Sequence, residues 1–353
     1  MQDRRTTIVA GVVAALGVAA ALATAMSLAG RSGPARPTVV LYSVTDRETA
    51  QELIDRFEAE SGIRVAAKFD TEAAKAVGLV QAIRQEQANP RCDVLWGGGA
   101  FFHAMLADAG CLAPAPADLV RAHGDAPRDE RGRWLGFASA YRVLIVNTDV
   151  LGAEARPRSI FDLADPRYKG KVGIANPLFG GMAAHVAALF QVLGPDRARR
   201  WLADLKANDC ALCGGMADVT KRVASGELWF GITSSIDAHV AVDDGKPVAV
   251  VFPDQEAGGI GCMQGFSSVA LVAGGPHPAE AERLLRFLMS PATEEALAAG
   301  PAQTVGLLPA SVARDVRPPW IPRATRAMAV DWAGAARIYP EATKAIKEIL
   351  LGR

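Results

Sequence analysis

VVLYSVTDRETAQELIDRFEAESGIRV, residues 39–65, changes its hydrophobic period twice. Val39–Ser43 is an almost unbroken apolar run of strand length. Thr45-x-x-Glu48 reads as a capping box, and behind it Ala50, Leu53, Ile54 and Phe57 recur at the spacing that lines one helix face. Gly62 ends that helix and Ile63–Phe69 forms the next strand. Two strands joined by one helix predict parallel strands, a right-handed crossover, and functional turns at the strands' C-terminal ends.

The pattern continues outward. Asp70-Thr71-Glu72 is a turn, and a helix carrying Leu79, Val80 and Ile83 runs until Asn89-Pro90 stops it. Asp93–Trp96 is a third strand, followed by Gly97-Gly98-Gly99 and a helix Phe101–Ala109 closed by Gly110. The polar stretch Pro114–Gly132 interrupts the rhythm, and Tyr141–Asn147 opens a second α/β unit. That unit holds the strand Val172–Ala175, the turn NPLFGG and a helix Met182–Leu193, broken by Gly194-Pro195. A helix Arg197–Ala207, a strand Leu228–Thr233, the turn TSSID and a strand Val248–Phe252 follow. Ser267–Val272 is a further strand, Pro278 and Pro291 sit at first helical positions, and helices are expected around Ala324–Trp332 and Glu341–Leu350. The fold class is thus α/β in two lobes, with a parallel sheet expected in each.

The chain has 353 residues, half of them hydrophobic, with Lys+Arg 38 balancing Asp+Glu 38. Such a chain can bury a sizeable core, and its balanced charge offers no field for nucleic acid. Residues 1–30 read as an export signal: the basic MQDRR, an uncharged apolar run from Thr6 to Gly30, and A-x-A spacing at Ala23–Ala25. The run is also long enough to serve as an uncleaved anchor. Either way the protein is expected outside the cytoplasm, in the periplasm or its equivalent. An oxidising compartment would allow one or two bridges among Cys92, Cys111, Cys210, Cys213 and Cys262, with Cys92 and Cys111 brought near each other by a strand-helix reversal.

Several turns deliver a strand to a helix N-terminus, where free backbone N–H groups and the helix dipole favour anions. Ser43, Thr45 and Asp46 occupy the first, Asp70 and Glu72 the second, and Gly97, Gly98 and Gly99 the third. In the second unit they are Asn176, Phe179, Gly180 and Gly181, then Ser234, Ser235 and Asp237. Each turn alone is ordinary turn chemistry; together they point to a ligand cleft. A dinucleotide fingerprint is missing, since the glycine run follows the third strand and lacks its last glycine, and neither a P-loop nor a G-x-S-x-G elbow occurs. Cys210-x-x-Cys213 stands without a second such pair, and His103 and His185 near helix starts read as packing residues before ligands. Asp46, Asp70, Glu72 and Asp237 supply hard oxygen donors to the same turns.

On these blocks, together with FDTEAAKAVGLVQAIRQEQANPRCDVLW, YRVLIVNTDVL, GKVGIANPLFGGMAAHVAALF, PVAVVFPDQEAGGIG and VALVAGGPHPAEAERLLRFLMSP, the chain resembles an extracellular solute-binding protein of an ABC importer. The resemblance is to the type II periplasmic-binding-protein fold, iron(III)/phosphonate-type branch. It implies a clamp of residues 38–137 with 265–310 as lobe 1 and 138–264 as lobe 2, with 311–353 as C-terminal helices packed on the lobes. The chain would cross between lobes near Gly136–Tyr141 and Cys262–Ser267. It further implies a monomer that hands a small solute to a membrane permease, with no catalysis and no cofactor. Ferric-binding members place a histidine, an acidic residue and adjacent tyrosines in the cleft. Here Asp46, Glu72 and TSSID stand near those positions, and Tyr42, Tyr141, Tyr168 and Tyr339 form no adjacent pair. The expected cargo is therefore a small organic or phosphate-type anion. The alternative is ferric iron held by Asp46, Glu72, Asp237 and exogenous anions; a lesser one is an exported enzyme on the same scaffold. A bulky residue at Gly98 is expected to cost affinity far more than stability.

Overall fold

The computed structural model describes residues 36–45, 47–70, 76–300, 303–309 and 317–352. The expected signal or anchor, and Asp46 and Glu72, lie outside them. In chain order, β1 (Thr38–Ser43), α1 (Arg47–Ser61), β2 (Arg64–Phe69), α2 (Val77–Gln85), β3 (Val94–Trp96) and α3 (Gly99–Asp108) come first. Then β4 (Leu112–Ala113) and α4 (Ala117–Ala122) lead into the long β5 (Leu135–Asn147). After it come β6 (Val172–Ala175), α5 (Gly180–Leu193), α6 (Pro195–Ala207), β7 (Ala211–Cys213), α7 (Met216–Ala224), β8 (Phe230–Ser234), α8 (Ser235–Asp243) and β9 (Val248–Val251). The chain ends with β10 (Gln264–Val272), α9 (Pro278–Leu288), α10 (Pro291–Ala299) and α11 (Trp332–Ile349).

The strands form one ten-stranded sheet in the order β2-β1-β3-β10-β5-β8-β6-β7, with β4 added on β10 and β9 on β5. β1, β2 and β3 are parallel, as are β6, β7 and β8. β10 and β5 run against their neighbours, so the sheet is mixed and the all-parallel expectation is corrected. The reason is topological: β5 carries the chain from the first half-sheet to the second and β10 carries it back. Residues Leu135–Tyr141 of β5 pair with β10, and Arg142–Asn147 pair with β8 and β9.

Within the β5–β10 ladder, Phe266 faces Ser139 and Ser267 faces Phe137, which leaves Ala138 as the extra residue of a β-bulge at φ 46. Its N–H donates to Oε1 of the fully buried Glu294 at 3.0 Å. The same carboxylate accepts from Leu307 N at 2.8 Å and Leu308 N at 3.0 Å. A buried carboxylate is tolerated here because three backbone donors replace its water.

The first half-sheet buries Val39, Leu41, Val94 and Trp96 under Leu53, Ile54 and Phe57 of α1 and Leu284, Leu285 and Leu288 of α9. A second cluster runs from α2 and α3 into the second half-sheet and includes Phe101, Leu106, Val143, Ile145 and Phe190. α11 packs on α3, α5 and α6, and its Tyr339 ring meets Phe101 edge-on at 4.7 Å.

Other expectations need correction. Ala324–Trp332 is not helical: Ala327 forms an isolated parallel bridge with Cys262, and helix begins only at Trp332, capped by Asp331 accepting from Gly334 N at 3.0 Å. It then runs through Pro340 as a single helix. The polar stretch 114–132 contains α4, and the Cys210–Ala224 region contributes β7 and α7; of these, α4 and β7 were too short for a periodicity signal. No bridge joins the cysteines, since all five are free thiols. Glu294→Ala should lower stability by about 3 kcal/mol or more, because it unpairs three backbone donors, the buried Ala138 N–H among them. Urea denaturation checks this, and a loss below about 1 kcal/mol would show that water replaces the carboxylate.

Candidate functional site

The first-half turns pack against one another. Ser43, fully buried, accepts at Oγ from Thr45 N at 3.2 Å, and Val44 N donates to Trp96 O at 2.9 Å. Gly97 N donates to Ser268 O on β10 at 2.7 Å. Gly97, Gly98 and Gly99 have φ of 91°, 80° and 77°, a left-handed run that only glycine adopts without strain. A Cβ on Gly97 would stand 2.8 Å from Thr45 Oγ1 and 2.9 Å from Thr45 N. The glycines are thus conformational requirements first, and a side chain at Gly98 would strain the backbone at its φ of 80°. His103 holds the following helix in place: its buried Nδ1 lies 2.8 Å from Ser268 Oγ and 3.1 Å from Gly99 O. Burial lowers its pKa to about 4, so it is neutral, a packing residue as expected. Asp70 is drawn toward α2, where Leu79 N approaches its Oδ2 at 3.4 Å.

In the second half, Asn176 spends its side chain on the turn, accepting from Leu178 N at 3.1 Å, while Phe179 stands 40% exposed before α5. Gly180 and Gly181 open α5. TSSID is no loop: Ser234 ends β8 and caps α8, accepting from Ile236 N at 3.3 Å. The Ser235 Oγ accepts from Tyr141 N at 3.1 Å. Asp237, in the first turn of α8, forms part of the wall of an open pocket of about 450 Å³ between α7 and α8, with Thr220, Lys221 and Lys246.

Arg142 joins these pieces, and the sequence reading did not single it out. Along β5 only Ala140 and Arg142 escape full burial. The guanidinium lies so close to Gly181 that a Cβ there would collide with Nη2, and a Cβ on Gly265 would stand 3.2 Å from it. The Met216 methyl closes on Gly181 from α7 at 3.1 Å by the same measure. The next residue along β10, Phe266, places its carbonyl 3.3 Å from the Cβ position of Gly99. Gly265 and Phe266 therefore bring the third turn of the first half and the α5 turn of the second to adjacent points of one strand. The available signal was a lone charge inside YRVLIVN, an otherwise apolar strand.

Electrostatically the guanidinium is incomplete. Its Nε is buried without a hydrogen-bond partner. Burial lowers its pKa, with Asp237 and Cys262 pulling the other way. It also faces the positive end of α5. An oxyanion would complete this arrangement. Among the tyrosines, burial raises the Tyr141 pKa, and Tyr42 is pushed up to about 12 by burial and by its bond to Glu86. Tyr168 OH donates to Ala155 O at 3.2 Å and Tyr339 OH to Leu178 O at 3.5 Å. Among the described residues no three His, Cys, Asp or Glu side chains converge as a metal cluster.

The chain belongs to the bacterial extracellular solute-binding proteins, whose sequence profile it matches over residues 52–325. It is 25% identical over 292 residues to the Fe(3+)-binding periplasmic protein of Serratia marcescens, covering 81% of this chain and 84% of that one. Its fold is that of iron-bound HitA from Pseudomonas aeruginosa, with TM-score 0.77, 22% identity, and coverage of 89% of this chain and 99% of that one. It also matches AfuA from Actinobacillus pleuropneumoniae with exogenous fructose-6-phosphate bound, with TM-score 0.75, 21% identity, and coverage of 89% and 99%. The fold class is the two-lobed α/β type II periplasmic-binding-protein fold expected from the sequence. Among the described residues no helix is long and apolar enough to cross a membrane.

If Arg142 serves a ligand rather than the fold, Arg142→Met should leave the ligand-free protein as stable, or stabilise it by about 1 kcal/mol, since an under-partnered buried charge is costly. Denaturant titration decides: a loss of about 3 kcal/mol or more would mark the guanidinium as a structural strut.

Proposed function

We propose that the protein is the solute-capturing component of an ABC importer and that its cargo is ferric iron bound through oxygen atoms together with an oxyanion. The lobe limits 38–137 with 265–310 and 138–264, export by residues 1–30, monomeric action and delivery to a permease all belong to this proposal. The observation that carries it is the Arg142 guanidinium, wedged between Gly181 and Gly265 with its Nε unserved. Ferric iron in neutral water needs an anionic oxygen partner, and a guanidinium beside a helix N-terminus holds one in a fixed orientation. The Serratia relative supports iron as the metal. Asp237 supplies a carboxylate whose charge reaches Arg142, and Asp46 and Glu72 are the further oxygen donors of the proposal. Closing the lobes would desolvate the cargo without chemical change, so no turnover is involved.

A second reading, an organic or phosphate-type anion without iron, is favoured by the exposed Phe179 beside the same turn, which offers an apolar surface to an organic body. AfuA shows that the fold admits a sugar phosphate.

Melting temperature measured with ferric citrate, citrate alone and fructose-6-phosphate separates the two. Ferric citrate at a hundredfold excess over Kd should stabilise the protein by about 2.7 kcal/mol, without the visible colour of iron–phenolate. Stabilisation by fructose-6-phosphate and not by ferric citrate would transfer the assignment to the second reading. No response to any of the three would overturn both.

A further inference from the structure

His185 is the other unexplained group beside the site. It is 1% exposed, and both ring nitrogens lack a hydrogen-bond partner. Together with Arg142 Nε they make three of the eight such buried atoms among the described residues. The two side chains are neighbours: the guanidinium charge, after burial, is what lowers the His185 pKa to about 3. The helix explains the proximity. Gly181 and His185 are four residues apart on α5 and share a face, so the guanidinium that crosses the missing Cβ of Gly181 lies one turn above the imidazole.

We propose that His185 is the positioning residue of Arg142: its neutral imidazole serves the Nε–H through one bridging water and turns the Nη1/Nη2 edge toward the cargo oxyanion. This rests on the reading of Arg142 as a cargo-contacting group. The other groups around the guanidinium do not fill this place. The Cys262 thiol donates to the Arg142 carbonyl at 3.1 Å, Met216 offers a methyl, and Asp237 already has a partner. An imidazole with neither nitrogen bonded and an Nε–H left bare each carry an unsatisfied-group cost, which the bridge relieves at the Nε–H and at one of the two ring nitrogens. With Nε held, the guanidinium no longer swings about its last torsion, and its remaining edge is the planar fork that a carboxylate or phosphate accepts in bidentate fashion.

The test compares His185→Leu and His185→Gln in the full chain, with two readouts. Solvent exchange of the Arg142 Nε–H, followed by ¹⁵N NMR without ligand, should be slow in wild type and H185Q and fast in H185L. Titration with ferric citrate should show H185L weakened about tenfold, the scale of losing an orienting partner behind a ligand-contacting group. H185Q should stay close to wild type, and H185L should add nothing in an Arg142→Lys background, because coupled residues are not additive. Unchanged Nε–H exchange in H185L overturns the proposal, whatever happens to affinity. If ferric citrate, citrate and fructose-6-phosphate all fail to bind wild type while the exchange pattern holds, the positioning role stands and the cargo reading fails. Should H185L not fold, wild-type exchange alone decides, and an Nε–H exchanging as fast as in free arginine overturns the pairing.

Discussion

The antiparallel pairing of β5 with β10 is the constraint on which the rest depends. Each strand carries the backbone from one half-sheet to the other, and their register, Gln264 opposite Tyr141 and Gly265 opposite Ala140, fixes what lies at the crossing. The bulge at Ala138 bends β5 just before its partners change from β10 to β8 and β9, and Glu294 clamps that bend from α10. Beyond Ser139, Ala140 and Tyr141 comes Arg142, whose N–H donates to Met263 O at 2.8 Å. One register therefore places a guanidinium, two glycines and the mouths of two turns at the same point. A shift by one residue would send Arg142 to the opposite face of the sheet.

Much of the scaffold was legible in the sequence because long, strongly periodic segments report their own burial. The apolar face Ala50, Leu53, Ile54 and Phe57 is buried on α1, and Pro278 and Pro291 open α9 and α10. What failed to show was short or non-local. β7 has three residues and α4 six, too few to display a period. The antiparallel direction of β10 depends on where the chain has been, which no window of sequence contains. The expected helix at Ala324–Trp332 yielded to an isolated β-bridge with Cys262, a tertiary override of local propensity.

The site was less legible than the fold. Turn residues such as Gly97–Gly99 and Gly181 announced themselves by composition, yet their roles differ: the first run answers to backbone conformation, and Gly181 to the space a guanidinium needs. Ser43, Asn176, Ser234 and Ser235 bond the chain's own backbone. Arg142 was visible only as a charge in the wrong kind of strand. Its incomplete hydrogen bonding is the type of local cost that folded proteins carry at functional sites. The ferric and anion readings converge on it, since both require an oxyanion at the guanidinium and differ only in whether a metal accompanies it.

The most direct measurement is a crystal structure of the protein grown with ferric citrate. The account predicts carboxylate oxygens at hydrogen-bonding distance, about 2.8 Å, from Nη1 and Nη2 of Arg142, with the metal held between the citrate and protein carboxylates. Cargo bound elsewhere, with the guanidinium turned away from the cleft and paired to Asp237, would contradict it.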